Sequence, residues 1–343
     1  MPPRYSLDQG ALDDHIVNLI RMCGDTPNTD LVKEIIITAL KLVQEKADRG
    51  DIKILNATLR ELRYAFKLFH KYRHIRKVTV FGSARTGEQN AAYDQAVAFA
   101  REIVKKGFMV ITGAGDGIMK GAQEGAGREK SFGVNIQLPF EQAANIYIEN
   151  DPKLVTFKYF FTRKLIFVKE TDAIALFPGG FGTQDEGFET LTLVQTGKTD
   201  PVPIVLIDQP GGSYWWEWKR HIEHQFLRPG FISEEDMALF KVTDQVEEAV
   251  SEILTFYSNY HSSRYVGDRL VIRLQRPPDD ALLDKLNAEF SDLLTEGKIE
   301  RCGSFPEEMN EPDTVQLPRL SLCFNRRNFG RLRQMINVVN ASA

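Results

Sequence analysis

The chain reads as an α/β protein built on a doubly wound parallel sheet, and three observations carry that reading. Between about Lys77 and Tyr257, short and nearly uninterrupted apolar runs alternate with amphipathic helical patterns. Strands buried on both faces look like this, because helices cover both sides of a parallel sheet. Glycine-rich turns follow several of the apolar runs, at the carboxyl ends where such sheets bind ligands. The flanks lack the alternation: helices precede it, and a smaller mixture of strands and helices follows.

In chain order, Asp30 to Val43 and Leu59 to Tyr72 place apolar residues at three- and four-residue spacing, with Gly50-Asp51 between them. This N-terminal helical segment, residues 1–74, reads as a helical cap or an oligomer contact. The basic run Lys67, Lys71, Arg73, Arg76 and Lys77 reads as a solvated helix face. The core, residues 75–258, predicts strands at Val78–Phe81, Phe108–Ile111, Phe132–Leu138, Ala173–Phe177 and Ile204–Ile207. Helices are expected over Ala91–Lys105, Ile118–Gly127, around Arg163, around Glu186, and on to Phe256. After a polar connector, Ser258 to Ser263, residues 264–343 predict a small α+β appendage with strands Arg269–Leu274 and Leu320–Phe324 and helices Ala281–Leu294 and Asn328–Val339. Its Arg326, Arg327, Arg331 and Arg333 fit a charged surface or an interface, with an anionic effector as the alternative.

Composition bounds the function. A chain of 343 residues that is 43% hydrophobic and 26% charged can bury more than one core, and a net charge of −4 supplies no overall field for nucleic acid or an anionic membrane. No apolar run approaches a membrane span. Three scattered cysteines, Cys23, Cys302 and Cys323, suggest neither a CxxC pair nor a disulfide framework, so a reducing cytoplasm is the expected compartment. His221 and His224 stand three apart without HExxH spacing or a third ligand, and no metal site or cofactor is expected. Tyr214, Trp215, Trp216 and Trp218 read as core and interface aromatics.

Pro178-Gly179-Gly180-Phe181-Gly182-Thr183-Gln184-Asp185-Glu186 is the most informative stretch. A buried strand, a glycine loop and a helix start in that order present free N–H groups and the positive end of a helix dipole, which suits an anion. Two further loops, Gly82-Ser83-Ala84-Arg85 and Gly113-Ala114-Gly115-Asp116-Gly117, end earlier strands. The second has a dinucleotide-loop appearance, but it follows the second core strand and the first strand carries no GxGxxG, so hydride chemistry ranks low.

The Pro178–Glu186 stretch resembles the PGGxGTxxE signature of the LOG family of nucleoside 5′-monophosphate phosphoribohydrolases, which includes enzymes of cytokinin biosynthesis and is often labelled lysine decarboxylase-like. Arg163-Lys164 matches the family's Arg-Lys pair, and Glu186 follows Arg163 by 23 residues, the family's spacing. The resemblance covers roughly residues 76–257 and identifies residues 75–258 as a Rossmann-like nucleotide-binding domain. It implies hydrolysis of the N-glycosidic bond of AMP or an N6-modified AMP, with Arg163 and Glu186 catalytic. It further implies that Ser83, Gly113, Gly115, Gly117, Glu141, Lys164, Gly179, Gly180, Phe181, Gly182, Thr183, Asp185 and Thr192 contact the nucleotide. Asn145 competes with Glu141 for a ribose or base contact. Two departures stand out: Asp116 where relatives commonly have Pro, and Phe160-Phe161-Thr162 where a Met-His often precedes the Arg-Lys pair. A homodimer or larger homo-oligomer is implied, with no nucleic-acid or membrane partner. The alternatives are a broad purine and pyrimidine nucleotide nucleosidase of salvage and a non-catalytic carrier of a phosphorylated cofactor such as molybdenum cofactor.

Overall fold

The computed structural model describes residues 10–24, 26–138, 143–309 and 311–342. It divides into two compact units, residues 1–64 and 65–343. In the first, helices α1 (Gly10–Cys23) and α2 (Thr29–Gln44) pack through Ile16, Ile20 and Ile37, and Lys33 pairs with Asp13 at 3.1 Å. Helix α3 (Arg49–His70) begins in this unit, and its last turns from Ala65 belong to the second. The division therefore falls inside a helix, ten residues before the boundary that composition suggests.

The second unit is built on a seven-stranded sheet: β1 (Lys77–Phe81), β2 (Met109–Thr112), β3 (Ser131–Ile136), β4 (Leu154–Phe157), β5 (Ala173–Leu176), β6 (Ile204–Ile207) and β7 (Phe240–Thr243). Their order is β4-β3-β2-β1-β5-β6-β7, every pair parallel, so the Rossmann-like doubly wound sheet is present. Strand alternation sends Val78 and Val80 to one face, where Phe99 and Ile103 of α4 (Ala91–Lys105), Ile118 and Ala122 of α5 (Ile118–Ala126) and Val250 and Ile253 of α9 (Val246–Phe256) cover them. Phe81 turns to the other face and meets Phe167 of α6 (Phe160–Lys169) with ring centroids 4.8 Å apart. Gly187 of α7 (Phe181–Gln195) lies on Leu176 of that same face. Phe69, at the end of α3, stacks on Phe132 at 4.5 Å.

Strands β4 and β7 are absent from the sequence reading because both are four-residue sheet edges, half-exposed and too short for periodicity to mark. Helix α8 (Tyr214–Ile222) follows β6. The basic run is not uniformly solvated: Lys77 is buried, and the Arg76 guanidinium lies 3.5 Å from the Tyr257 ring.

The C-terminal sheet runs β10 (Leu294–Cys302), β11 (Arg319–Phe324), β9 (Arg269–Leu274), β8 (Tyr260–Val266), all antiparallel, with α10 (Asp280–Glu289) and α11 (Phe329–Ala341). Strand β8 starts within the expected connector because Tyr260 is buried, and Leu294 opens a strand rather than closing a helix. Phe256 of α9 joins the core of this sheet, and the Asn340 side chain bonds the N–H groups of Asn259 and Tyr260 and the Phe256 carbonyl. Glu308, fully buried, is held by Arg273 at 2.6 Å and Arg319 at 3.1 Å. Arg333 is also buried and pairs with Glu252, while Arg331 pairs with Asp292 at 3.1 Å. These two arginines are committed to the fold.

Close packing of α5 on α4 depends on Gly125, where an added Cβ would sit 2.1 Å from the Val97 carbonyl oxygen. Alanine favours a helix by about 1 kcal/mol, but overpacking against backbone costs roughly 1–3 kcal/mol. Gly125→Ala should therefore lower the thermal midpoint, whereas Gly87→Ala, which meets nothing within 4 Å, should leave it nearly unchanged. Equal midpoints in a calorimetric scan would refute this packing account.

Candidate active site

Three strand-end loops are tied to one another before any ligand arrives. Ser83 N–H donates to the Pro178 carbonyl at 3.1 Å, and the Ser83 carbonyl accepts from Ile118 N–H at 3.1 Å. The β1, β2 and β5 loops thus share one residue as their junction. Gly117, at φ +61°, is required here because a Cβ would lie 2.2 Å from the Ser83 oxygen. It serves loop packing and does not line the cleft.

Ala114, a non-glycine residue at φ +60°, sits in a sparsely populated conformation. Thr112 Oγ1 accepts its N–H at 2.9 Å, and its carbonyl accepts the Asn145 N–H at 2.9 Å. The Asn145 Nδ2 also donates to the Gly115 carbonyl at 2.8 Å and to Gln123 Oε1 at 2.7 Å. Asn145 is thus a buried buttress of the second loop. Glu141, its competitor in the sequence reading, lies outside the described residues.

A cleft of about 910 Å³ opens over these loops. Of the sequence-predicted residues it gathers Ser83, Gly113 and Gly115 from the first two loops, Arg163 from α6, and Gly179 through Thr183 with Asp185 and Glu186 from the third. Thr192 is exposed on α7 and absent from the lining; its carbonyl accepts the Thr196 hydroxyl.

Gly180 caps α7 without any side-chain hydrogen bond; the Thr183 N–H donates to the Gly180 carbonyl at 3.1 Å, which leaves the N–H groups of Phe181 and Gly182 open to an anion. A Cβ on Gly179 would lie 2.1 Å from Thr183 Oγ1, so the backbone must be bare for the hydroxyl to fold under the loop. Tyr214 holds this loop from behind: its hydroxyl donates to the Gly179 carbonyl at 2.5 Å and accepts from Gln184 Nε2 at 2.7 Å. Sequence reasoning missed that role. The only signal was a tyrosine within a run of tryptophans, the one side chain there whose hydroxyl can both donate and accept.

Arg163 is fixed by Nε donating to the Val134 carbonyl at 2.9 Å and lies 5.0 Å from the Phe167 ring centroid. An added Cβ at Gly113 would come within 2.5 Å of its Nη2, so Gly113 makes room for the guanidinium. Burial pushes the Arg163 pKa down and the charge of Glu186 opposes the shift. Glu186 is 7% exposed, and burial pushes its pKa up to about 7, with Lys164 and Arg163 pulling it down and Glu189 and Asp185 adding to the rise. Lys164 Nζ stands 2.8 Å from Asp185, 3.7 Å from Glu186 and 2.5 Å from Glu189. Burial works against its charge, yet the bonds to Asp185 and Glu189 hold its pKa above the ordinary value. Lys164 therefore sits behind the acids rather than in the cleft lining.

The site thus offers N–H donors and a guanidinium for an anion, and about 9 Å along the helix axis from Gly180, at ~1.5 Å per residue, a carboxyl poised between charge states. Among the described residues, no group of three or more His, Cys, Asp or Glu side chains is placed to hold a metal, and no helix is long and apolar enough to cross a membrane.

Comparisons with known proteins bear on this arrangement. Residues 116–253 match a family model described as "Possible lysine decarboxylase", the label that LOG-like domains carry. A cytokinin riboside 5′-monophosphate phosphoribohydrolase of Arabidopsis thaliana is 27% identical over 139 residues, covering 39% of this chain and 63% of that relative's length. A second of the same name and organism is 26% identical over 159 residues, covering 45% of this chain and 73% of the relative. Among solved structures, the molybdenum cofactor carrier protein of Chlamydomonas reinhardtii aligns over 52% of this chain and 94% of its own with 21% identity and a TM-score of 0.37. The resemblance to the LOG family thus extends from the loop motifs to a matched domain.

The raised Glu186 pKa has a consequence for stability. With a folded value of about 7 against an ordinary 4.5, the unfolded chain releases this proton first as pH rises, so Glu186 weakens the fold progressively between those values. At 1.36 kcal/mol per pKa unit the change approaches roughly 3 kcal/mol as an upper figure. Glu186→Gln should therefore gain stability relative to wild type in denaturant titrations at pH 8 compared with pH 5. A difference independent of pH would contradict the assignment.

Proposed function

We propose that the LOG-like domain hydrolyses the N-glycosidic bond of a nucleoside 5′-monophosphate, releasing the free base and ribose 5-phosphate. The observation that carries this reading is the placement of a buried carboxyl, Glu186, in the same cleft as an uncapped helix N-terminus and Arg163, with burial raising the carboxyl pKa to about 7. The 5′-phosphate would rest on the N–H groups following Gly180, with the Thr183 hydroxyl and one edge of the Arg163 guanidinium as further donors. Glu186, a turn further along α7, then falls at the pentose rather than at the phosphate.

Breaking the bond from C1′ to the base nitrogen builds positive charge on the ring oxygen and C1′. The Glu186 carboxylate stabilises that charge and takes the proton of the attacking water, whose oxygen bonds C1′, while the electron pair of the broken bond leaves with the base. Lys164, held by Asp185 and Glu189, keeps enough positive potential behind Glu186 for part of it to ionise at neutral pH. The names of the LOG relatives point to the same reaction, with AMP and N6-modified AMP as the first substrates to test.

Purified protein incubated with AMP, IMP, GMP, CMP, UMP and N6-isopentenyl AMP should release free base, detected by chromatography. Glu186→Gln should lower kcat by about 10²–10⁴ while still binding nucleotide, and Arg163→Ala should lower kcat/KM by a similar factor. Binding of every nucleotide without release of any base would overturn the hydrolase reading in favour of a carrier. Because the working form is the carboxylate, kcat/KM should rise with pH through a midpoint near 7, the value to which burial lifts Glu186. A flat profile from pH 5 to 8 would remove Glu186 from the chemical step.

A further inference from the structure

Asn135, the penultimate residue of β3, lines the cleft beside Ile136 and Leu138. Its Oδ1 accepts the N–H of Ile136 at 2.9 Å, and that bond fixes which way the amide faces. The Nδ2 group, with two hydrogens to donate, has no hydrogen-bond partner among the described residues. Arg163 is anchored on the preceding carbonyl, that of Val134, so the amide lies one residue beyond the guanidinium on the same strand.

The sheet order sets the direction of a bound nucleotide. From β5, whose loop is the anion site, β1 and β2 intervene before β3. Three strand spacings amount to about 14 Å, which a nucleoside monophosphate can cover from phosphate to the far edge of its base. With the phosphate on the β5 loop and the pentose near Glu186, the base arrives at the end of β3. Phe160, 53% exposed and also lining the cleft, offers an aromatic face there.

We infer that Asn135 reads the base edge as a hydrogen-bond donor and selects 6-oxopurine nucleoside 5′-monophosphates over their 6-amino and N6-alkylated counterparts. Resting on the hydrolase reading, this narrows its substrate class. An oxo group at position 6 accepts from Nδ2, whereas an amino group there sets donor against donor and forfeits that hydrogen bond. The 4-oxo and 4-amino pyrimidines, UMP and CMP, should follow the same order. Phe160 stacks the base and does not discriminate.

IMP and AMP differ only in that group, so their ratio of kcat/KM is the test. Wild type should favour IMP by about ten- to hundred-fold. Asn135→Asp keeps an oxygen for the Ile136 N–H and replaces the donor by an acceptor; it should reverse the preference to AMP. Asn135→Ala should bring the ratio near one. A ratio unchanged in Asn135→Asp, or a wild type that favours AMP, would overturn the inference. Dissociation constants for IMP and AMP measured calorimetrically on Glu186→Gln read the same contrast without turnover. Absence of hydrolysis would therefore defeat the hydrolase reading alone, while equal dissociation constants would defeat the role of Asn135. Thermal melts of both Asn135 variants establish that a changed ratio comes from folded protein.

Discussion

A carboxyl group buried on the second turn of α7 is the constraint around which the site is arranged. The helix begins without a side-chain cap and without an acidic side chain in its first turn. Glu186 escapes direct repulsion by standing further along, but burial then penalises its charge. Two cations on α6 answer that penalty from different sides. Arg163 faces the cleft, and Lys164 stands behind, bonded to Asp185 and Glu189. The balance leaves Glu186 near half ionisation at neutral pH, which suits a group that must carry charge during one step and tolerate a low-polarity pocket otherwise.

The scaffold around this group is stiff for identifiable reasons. Ser83 joins three loops through its own backbone, and Tyr214 locks the third from the far side. Glycines stand where loops approach each other or the guanidinium, at Gly113, Gly117 and Gly179. The C-terminal sheet shares one compact unit with the α/β core and is pinned through Asn340 and the Arg333–Glu252 pair. Its buried Arg273–Glu308–Arg319 group is committed to internal pairing, so removing one partner would leave an uncompensated charge rather than an open site.

Much of this was legible in the sequence where one residue type had one physical use. Five strands of the parallel sheet announced themselves as apolar runs, and the glycine loop after Ala173–Leu176 marked the start of the helix that lines the cleft. Arg163 and Glu186 could be paired only through the family resemblance, since a separation of 23 positions hides their proximity. Edge strands β4 and β7 were invisible because a half-exposed run of four residues has no distinctive period. The parts played by Tyr214, Asn145 and Asn135 depend on contacts across 30 or more residues, or on the end of a strand facing a cleft, and composition carries no trace of either. Thr192, matched to the family by spacing alone, lies on the solvent side of its helix.

The account stands or falls with the charge state of one side chain. Carbon-13 labelling of glutamate, with Glu186→Gln used to assign the resonance, allows the Glu186 carboxyl to be titrated directly in the folded protein. The expected midpoint is about 7, set by burial against the pull of Lys164 and Arg163. A midpoint at the ordinary value of 4.5 would mean that the carboxyl is solvated and fully charged at neutral pH, and the arrangement described for the site would be wrong.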